Sequence, residues 1–229
     1  MENEQPQLEF VLTADGSKTI YNPLVGENYH SRHGALQESR HVFLNSGLGY
    51  FLDSSPTDHV SILEVGLGTG LNFLLTADFC TAKKIHLNYA GIEAYPLSSE
   101  MIGKTGYQEY VSPALWKSFM EHYPASINQN VAVNQFCQLQ TANCQLLNFQ
   151  TRQRYEVIYF DAFAAVHQPE MWNEQAITHT VSFLKLGGVF VTYAITGNLK
   201  RLLKSLGFTV QKAPGAPGKR EMLRAILVD

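Results

Sequence analysis

Cysteine is scarce in this 229-residue chain, and its three copies, Cys80, Cys137 and Cys144, form no Cys-x-x-Cys pair. That count argues against a disulfide framework or a thiolate zinc site, so buried thiols and no metal are expected. Long apolar runs are also missing. Stretches such as Ala162–Val166 and Val189–Val191 fall far short of the ~20 residues that a membrane span needs. The start, Met1-Glu2-Asn3-Glu4-Gln5, is acidic and polar rather than basic and then apolar, so no secretory signal is expected and the reading is cytoplasmic. Neither repeats nor low-complexity tracts divide the chain. With 45% hydrophobic and 16% charged residues it has too much apolar content for a disordered protein. One domain over residues 1–229 is the expectation, with an N-terminal extension at 1–50 and a helical insertion at 95–130.

What is present alternates between two periodicities. Val60–Val65 is short, apolar and β-branched and runs into a glycine cluster, as a buried parallel strand would. Leu71–Asp78 reads as a helix, Leu87–Glu93 as the next strand, and Tyr155–Phe160 as another. A helix over Asn173–Leu184 should end in a Gly187-Gly188 turn before a strand at Gly188–Tyr193. Gly197–Ser205 reads as a basic amphipathic helix. Phe208–Lys212 and Glu221–Val228 read as two strands joined by Ala213–Gly218. The pattern predicts an α/β fold, a doubly wound and mostly parallel sheet with helices on both faces. Residues 1–50 suggest a short β-rich start followed by an irregular piece at Asn28–Ser39. In the insertion, Trp116, Phe119, Met120 and Tyr123 stand at helical spacing, which is expected to be core packing.

Ligands of open α/β sheets bind beyond the carboxyl ends of the strands. Gly66, Gly68 and Gly70 fall there, preceded by Glu64. Their G-x-G-x-G spacing, rather than G-x-G-x-x-G, favours S-adenosylmethionine over NAD, and the lack of a following lysine excludes a P-loop. Glu93 closes the second strand, where a carboxylate can accept hydrogen bonds from both ribose hydroxyls. Asp161 closes the Tyr155–Phe160 strand and should face the same groove, because parallel strands end on one side of the sheet.

At these residues the sequence resembles the methyltransferase domain of the bacterial bifunctional tRNA-modifying enzyme MnmC and its stand-alone relatives. Four blocks carry the likeness. They are Tyr29, Ser31, Glu38 and Val42-Phe43-Leu44; Gly66 to Phe73; Asp161, Phe163, Ala164, Pro169, Met171 and Trp172, with Gln168 where the family has Asn; and Gly215 or Gly218 with Lys219 to Leu223. The resemblance implies a class I S-adenosylmethionine-dependent methyltransferase without the FAD oxidase domain and without FAD. It would methylate the aminomethyl group of 5-aminomethyl(-2-thio)uridine at the wobble position of tRNA. A separate enzyme would supply that aminomethyl intermediate. Thr69 and Asn72 join the glycines, Glu64 and Glu93 as implied cofactor residues. Asp161 is implied to touch the cofactor and to orient the amine. Tyr29, Ser31, Glu38 and Phe163 are its implied neighbours on the substrate side. The family's usual Gly-Asp after the third strand is replaced by Thr141-Ala142-Asn143, leaving Asn143 as the candidate near the adenine.

Charge is uneven along the chain. Residues 197–229 hold Lys200, Arg201, Lys204, Lys212, Lys219, Arg220 and Arg224 against Glu221 and Asp229, a net of +5, which leaves −8 to the rest of a chain of total charge −3. A basic face for phosphates is compatible with that split. Lys219 and Arg220 are the candidates for the anticodon stem-loop. Two other readings stay open: an aminopropyltransferase resembling spermidine synthase, and a non-catalytic RNA-binding module of the same fold.

Overall fold

The computed structural model describes residues 8–228, so the polar start at Met1–Gln5 and Asp229 lie outside the described residues. Strands β1 (Glu9–Leu12), β2 (Lys18–Asn22) and β3 (Glu27–Asn28) form a small antiparallel sheet. A long helical segment follows. It opens as α1 (Ala35–Glu38), widens into π-type turns over Ser39–Gly49 and closes as α2 (Tyr50–Ser54). Next come β4 (His59–Val65), α3 (Leu71–Lys83) and β5 (His86–Ile92). The insertion supplies α4 (Ser99–Gly103), α5 (Pro113–Ser126) and a short edge strand, β6 (Asn130–Ala132). The chain then forms β7 (Cys137–Ala142), β8 (Tyr155–Phe160), α6 (Glu174–Val181), β9 (Leu184–Thr192), α7 (Gly197–Ser205), β10 (Phe208–Pro214) and β11 (Glu221–Leu227).

The main sheet has eight strands in the order β10-β11-β9-β8-β4-β5-β7-β6. Neighbours from β9 through β7 are parallel, whereas β11 and β6 run against them. The chain leaves β4 toward β5 and β7 and returns to β8 on the other side, so the switch point lies between β4 and β8. Ile62 and Leu63 of β4 are both fully buried, because helices cover both faces. One core layer joins the 35–54 segment, α3 and α5 to the sheet, and the other holds α6 and α7.

Two expectations are corrected. Residues 35–39, read as irregular, begin the long helix. Its two glycines and its Asn45-Ser46 pair disfavour helix, by about 1 kcal/mol for each glycine. Burial of Val42, Phe43 and Leu48, at about 1.5–3 kcal/mol each, outweighs that cost. Second, Gly187-Gly188 is not a turn between elements: α6 stops at Val181, and the glycines lie inside β9, whose pairing with β8 shifts register between Tyr155 and Val157. A bulge there accommodates both. The insertion at 95–130 holds helices α4 and α5, and β6 starts at its last residue. Its aromatic stripe is core, with Phe119 and Tyr123 buried and Trp116 and Met120 packed against them. Among the described residues no helix is long and apolar enough to cross a membrane.

Candidate active site

Register decides what meets at the sheet's rim. Val65 is level with Ile92 of β5 and Phe160 of β8, and Ile92 is level with Ala142 of β7. Gly66, Glu93, Asp161 and Asn143 are therefore each the first residue beyond one of four aligned strand ends. Backbone bonds fix the alignment: Gly66 N–H to Ile92 O at 3.0 Å, Asp161 N–H to Val65 O at 2.9 Å, and Glu93 N–H to Ala142 O at 3.0 Å.

The turn from Gly66 to Gly70 needs glycine for reasons internal to the protein. Gly66 has φ +86°, and a Cβ there would stand 2.5 Å from the Asp161 carbonyl oxygen. At Gly68, φ +52°, it would meet the Tyr29 ring at 2.9 Å. Left-handed backbone and this proximity allow no side chain. The same turn is tethered by Glu93, whose Oε2 accepts the Gly68 N–H at 2.9 Å and whose Oε1 accepts the Tyr95 N–H at 3.0 Å.

Asn72, on the first turn of α3, connects two carboxylates. Its Nδ2 donates to Glu64 Oε1 at 2.7 Å and to Asp161 Oδ2 at 2.8 Å. Its Oδ1 is buried and unpartnered, an acceptor beside Asp161 that suits a cationic ligand group. Glu64 is fully buried, with Oε2 taken by the Tyr89 hydroxyl at 2.8 Å. The sequence reading put Glu64 against the cofactor; its position makes it a support for Asn72 instead. Thr69 also turns inward, its hydroxyl accepting from Tyr107 of the insertion at 3.2 Å. Asn143 is exposed and spends its Nδ2 on the Glu93 and Ala94 carbonyls, at 3.3 and 3.1 Å.

Burial, with the neighbouring charge of Asp161, raises the Glu64 carboxyl well above the usual carboxylate range. Because that folded value exceeds the unfolded one, Glu64 costs nothing below the unfolded carboxyl pKa. Its ionisation then erodes stability as pH rises toward the folded value. Glu64→Gln retains the shape without the charge. Its melting temperature relative to the natural protein is expected to climb between pH 5 and pH 8, by about 2–4 °C for each kcal/mol relieved. A difference that stays flat or falls over that range would show that the Glu64 charge is not a burden.

Beside this groove lies a cavity of about 210 Å³, walled by Glu27, Tyr29, Ser31, Glu38, Phe163 and Tyr193 among others. Tyr29 joins the two spaces, with its ring on Gly68 and edge-on to Phe163 at 5.1 Å between centroids. Glu38, 4% exposed, accepts the Ser31 N–H through Oε2 at 2.8 Å and the Lys219 ammonium through Oε1 at 2.7 Å. Ser31 Oγ accepts the His33 N–H at 3.2 Å. The loop after β8 is held by Trp172, whose indole N–H donates to Phe163 O at 2.7 Å, and by Glu27, which accepts the Ala164 N–H at 2.7 Å. Burial first, then the charge of Glu38, raises Asp161 well above its ordinary value; the Asn72 bond and Lys219 oppose this.

Lys219 and Arg220 part company. Arg220 is exposed, with no ion pair or hydrogen bond from its side chain among the described residues, and suits a phosphate. Lys219, read alongside it as a phosphate ligand, instead lines the cavity and pairs with Glu38. Sequence reasoning missed Glu27 and Tyr193. Tyr193 directly follows β9 and was within reach of the strand-end rule, whereas nothing marked Glu27.

A Rossmann-like sheet with a glycine turn at its switch point, flanked by acidic strand ends and a buried acceptor, is the class I S-adenosylmethionine-dependent methyltransferase fold. The chain belongs to the S-adenosyl-L-methionine-dependent methyltransferase family, whose model matches residues 111–228. It is 30% identical over 98% of its length to the tRNA 5-methylaminomethyl-2-thiouridine biosynthesis bifunctional protein MnmC of Magnetococcus marinus. To the protein of the same name from Methylobacillus flagellatus it is 30% identical over 89% of its length. The chain spans about a third of these relatives, 35% and 33% respectively. Its fold matches the crystal structure of MnmC2 from Aquifex aeolicus with a TM-score of 0.79 at 21% identity, covering 98% of this chain and 72% of that one.

Proposed function

We propose that this protein transfers the methyl group of S-adenosylmethionine to the primary amine of 5-aminomethyluridine, or its 2-thio form, at the tRNA wobble position. The observation that carries the reading is the cavity itself. It is lined by carboxylates and by the Tyr29–Phe163 aromatic pair, and it adjoins the cofactor groove across Gly68. Aromatic edges and faces suit a base taken out of its stack, and the acids suit an alkylammonium. The likeness to MnmC proteins, whose names refer to biosynthesis of 5-methylaminomethyl-2-thiouridine, the product this transfer would give on the 2-thio form, supports the same substrate class.

The methyl arrives already activated on sulfur, so the protein's work is placement. Glu93 would hold the ribose hydroxyls. The turn Gly66–Gly70 would lie along the cofactor, and Asn72 Oδ1 with Asp161 would face its amino acid part. Asn143, having committed its amide hydrogens, would meet the adenine only as an acceptor through Oδ1. Asp161 would accept a hydrogen bond from the incoming amine and aim the lone pair. Incubation of the purified protein and labelled S-adenosylmethionine with tRNA carrying 5-aminomethyluridine, followed by nucleoside mass spectrometry, tests the proposal. Methylaminomethyluridine is the expected product. Methyl transfer to free polyamines alone, or none at all, would refute it.

Arg220→Ala should weaken tRNA binding and reduce the log–log salt slope by roughly 0.7–0.9, the share of one phosphate contact. Titrations at several salt concentrations measure this. An unchanged slope would remove Arg220 from the RNA interface.

A further inference from the structure

The Lys219 ammonium is 2.7 Å from Glu38 Oε1 and 3.7 Å from the centroid of the Tyr193 ring. Glu38 is buried, so moving Lys219 out to a phosphate would strand a desolvated carboxylate. Lys219 is thus a fixed part of the cavity wall. Glu27 lines the same wall, and Asp161 lies close enough for its carboxyl to respond to the charges of Glu38, Lys219 and Glu27.

The two carboxylates of that wall, Glu27 and Glu38, with Asp161 nearby, create a chemical conflict. Carboxylates attract an alkylammonium but also stabilise its proton, and only the neutral amine has a lone pair with which to attack. A neighbouring fixed cation acts in the opposite sense, because like charge disfavours the protonated amine. Resting on the proposed function, we infer that Lys219 is a positioning residue for methyl transfer. It keeps Glu38 in an ion pair and lowers the pH at which the bound substrate amine gives up its proton. The step balances simply. The substrate ammonium releases one proton through the Asp161 carboxylate to solvent. Its freed lone pair forms the N–C bond as the C–S bond breaks, and that electron pair stays on sulfur. A secondary ammonium and a neutral thioether result.

The other groups facing Lys219 are accounted for. Burial, helped by the charges of Asp161 and Glu27, raises the Tyr193 hydroxyl, so the ring stays neutral. His30, on the cavity wall, is pushed down to about 4 by burial and is neutral above that. Arg32, also on the wall, is exposed. Burial, then the charge of Glu93, raises the Tyr29 hydroxyl on the same wall, so it too stays neutral, and His33 packs against Gly218 beside Lys219.

The test is the pH–rate profile of single-turnover methyl transfer to tRNA carrying 5-aminomethyluridine, measured for the natural protein, K219M, K219R, E38Q and H33Q. The acid limb should move up by about one pH unit in K219M, the lower end of the effect of a charge within ~4–6 Å. That is about ten-fold slower transfer near neutrality, recovering at alkaline pH. K219R should return the limb toward its natural position, E38Q should move it down, and H33Q should leave it in place. A K219M loss equal at every pH would make Lys219 merely structural. A reduced salt slope with an unmoved limb would return it to the phosphates. Should K219M fail to fold, an E38Q limb that does not move down would overturn the inference by itself. An active natural protein with an unmoved K219M profile overturns this inference alone, whereas a natural protein that methylates no such tRNA overturns the proposed function with it.

Discussion

Asp161→Asn is expected to slow single-turnover methyl transfer by about 10²–10⁴, the range for a positioned acid–base group, while cofactor affinity changes far less. The side chain stands at the end of β8, anchored on one oxygen by Asn72 Nδ2 at 2.8 Å. Its backbone N–H is bonded to Val65 O, so the substitution leaves the strand end in place. What changes is charge. In the transition state positive charge moves from sulfur to nitrogen, and a fixed carboxylate beside that nitrogen stabilises the change without reorganising. Burial and the Glu38 charge raise the proton affinity of Asp161, which also equips it to pass on the amine's proton. The sign of the pH dependence follows: transfer should fall as pH drops through that raised value, and the asparagine variant should lose this contribution and keep only the acid limb set by the substrate amine itself. Turnover within a few fold of the natural protein would reduce Asp161 to a strand-end residue and sink the mechanism.

The parts of the fold that repeat a period were legible, and those built from contacts between distant segments were not. β8 and α7 fall where their patterns put them, at Tyr155–Phe160 and Gly197–Ser205. The acidic strand ends could be found because parallel strands of similar length finish together, as the register of β4, β5 and β8 shows. The helix at 35–54 was hidden for a physical reason. Its π-type turns displace the 3.6-residue spacing that marks a helical face, and its glycines argue against helix locally. The ion pair of Glu38 with Lys219 joins residues 181 positions apart. No periodicity records such a pair, so a lysine next to an exposed arginine in a basic segment read as a second phosphate ligand. Glu27 was invisible for the same reason, since its place in the cavity depends on how β3 lies against the loop after β8.

Glu93→Ala is expected to weaken S-adenosylmethionine binding by about 1.5–3 kcal/mol for each lost charged hydrogen bond, or roughly ten- to hundred-fold in Kd. Two effects act together. The carboxylate is the acceptor proposed for the ribose hydroxyls, and it also pins the glycine turn through the Gly68 N–H and the following loop through the Tyr95 N–H. The backbone of Glu93 is held separately by its bond to Ala142 O, so the strand end should survive the truncation. Glu93→Gln separates the contributions, because its amide oxygen retains one acceptor without the charge; it should fall between alanine and the natural residue. Burial raises the Glu93 carboxyl above its ordinary value, an effect that its backbone hydrogen bonds oppose. Since the ionised form is the better acceptor, affinity of the natural protein should decline as pH falls through that raised value. The alanine variant should lack this decline. Calorimetric titration with S-adenosylmethionine and with S-adenosylhomocysteine, without tRNA and at two pH values, measures both effects. Unchanged affinity in the alanine variant would place the ribose elsewhere and leave Glu93 as a tether of the glycine turn.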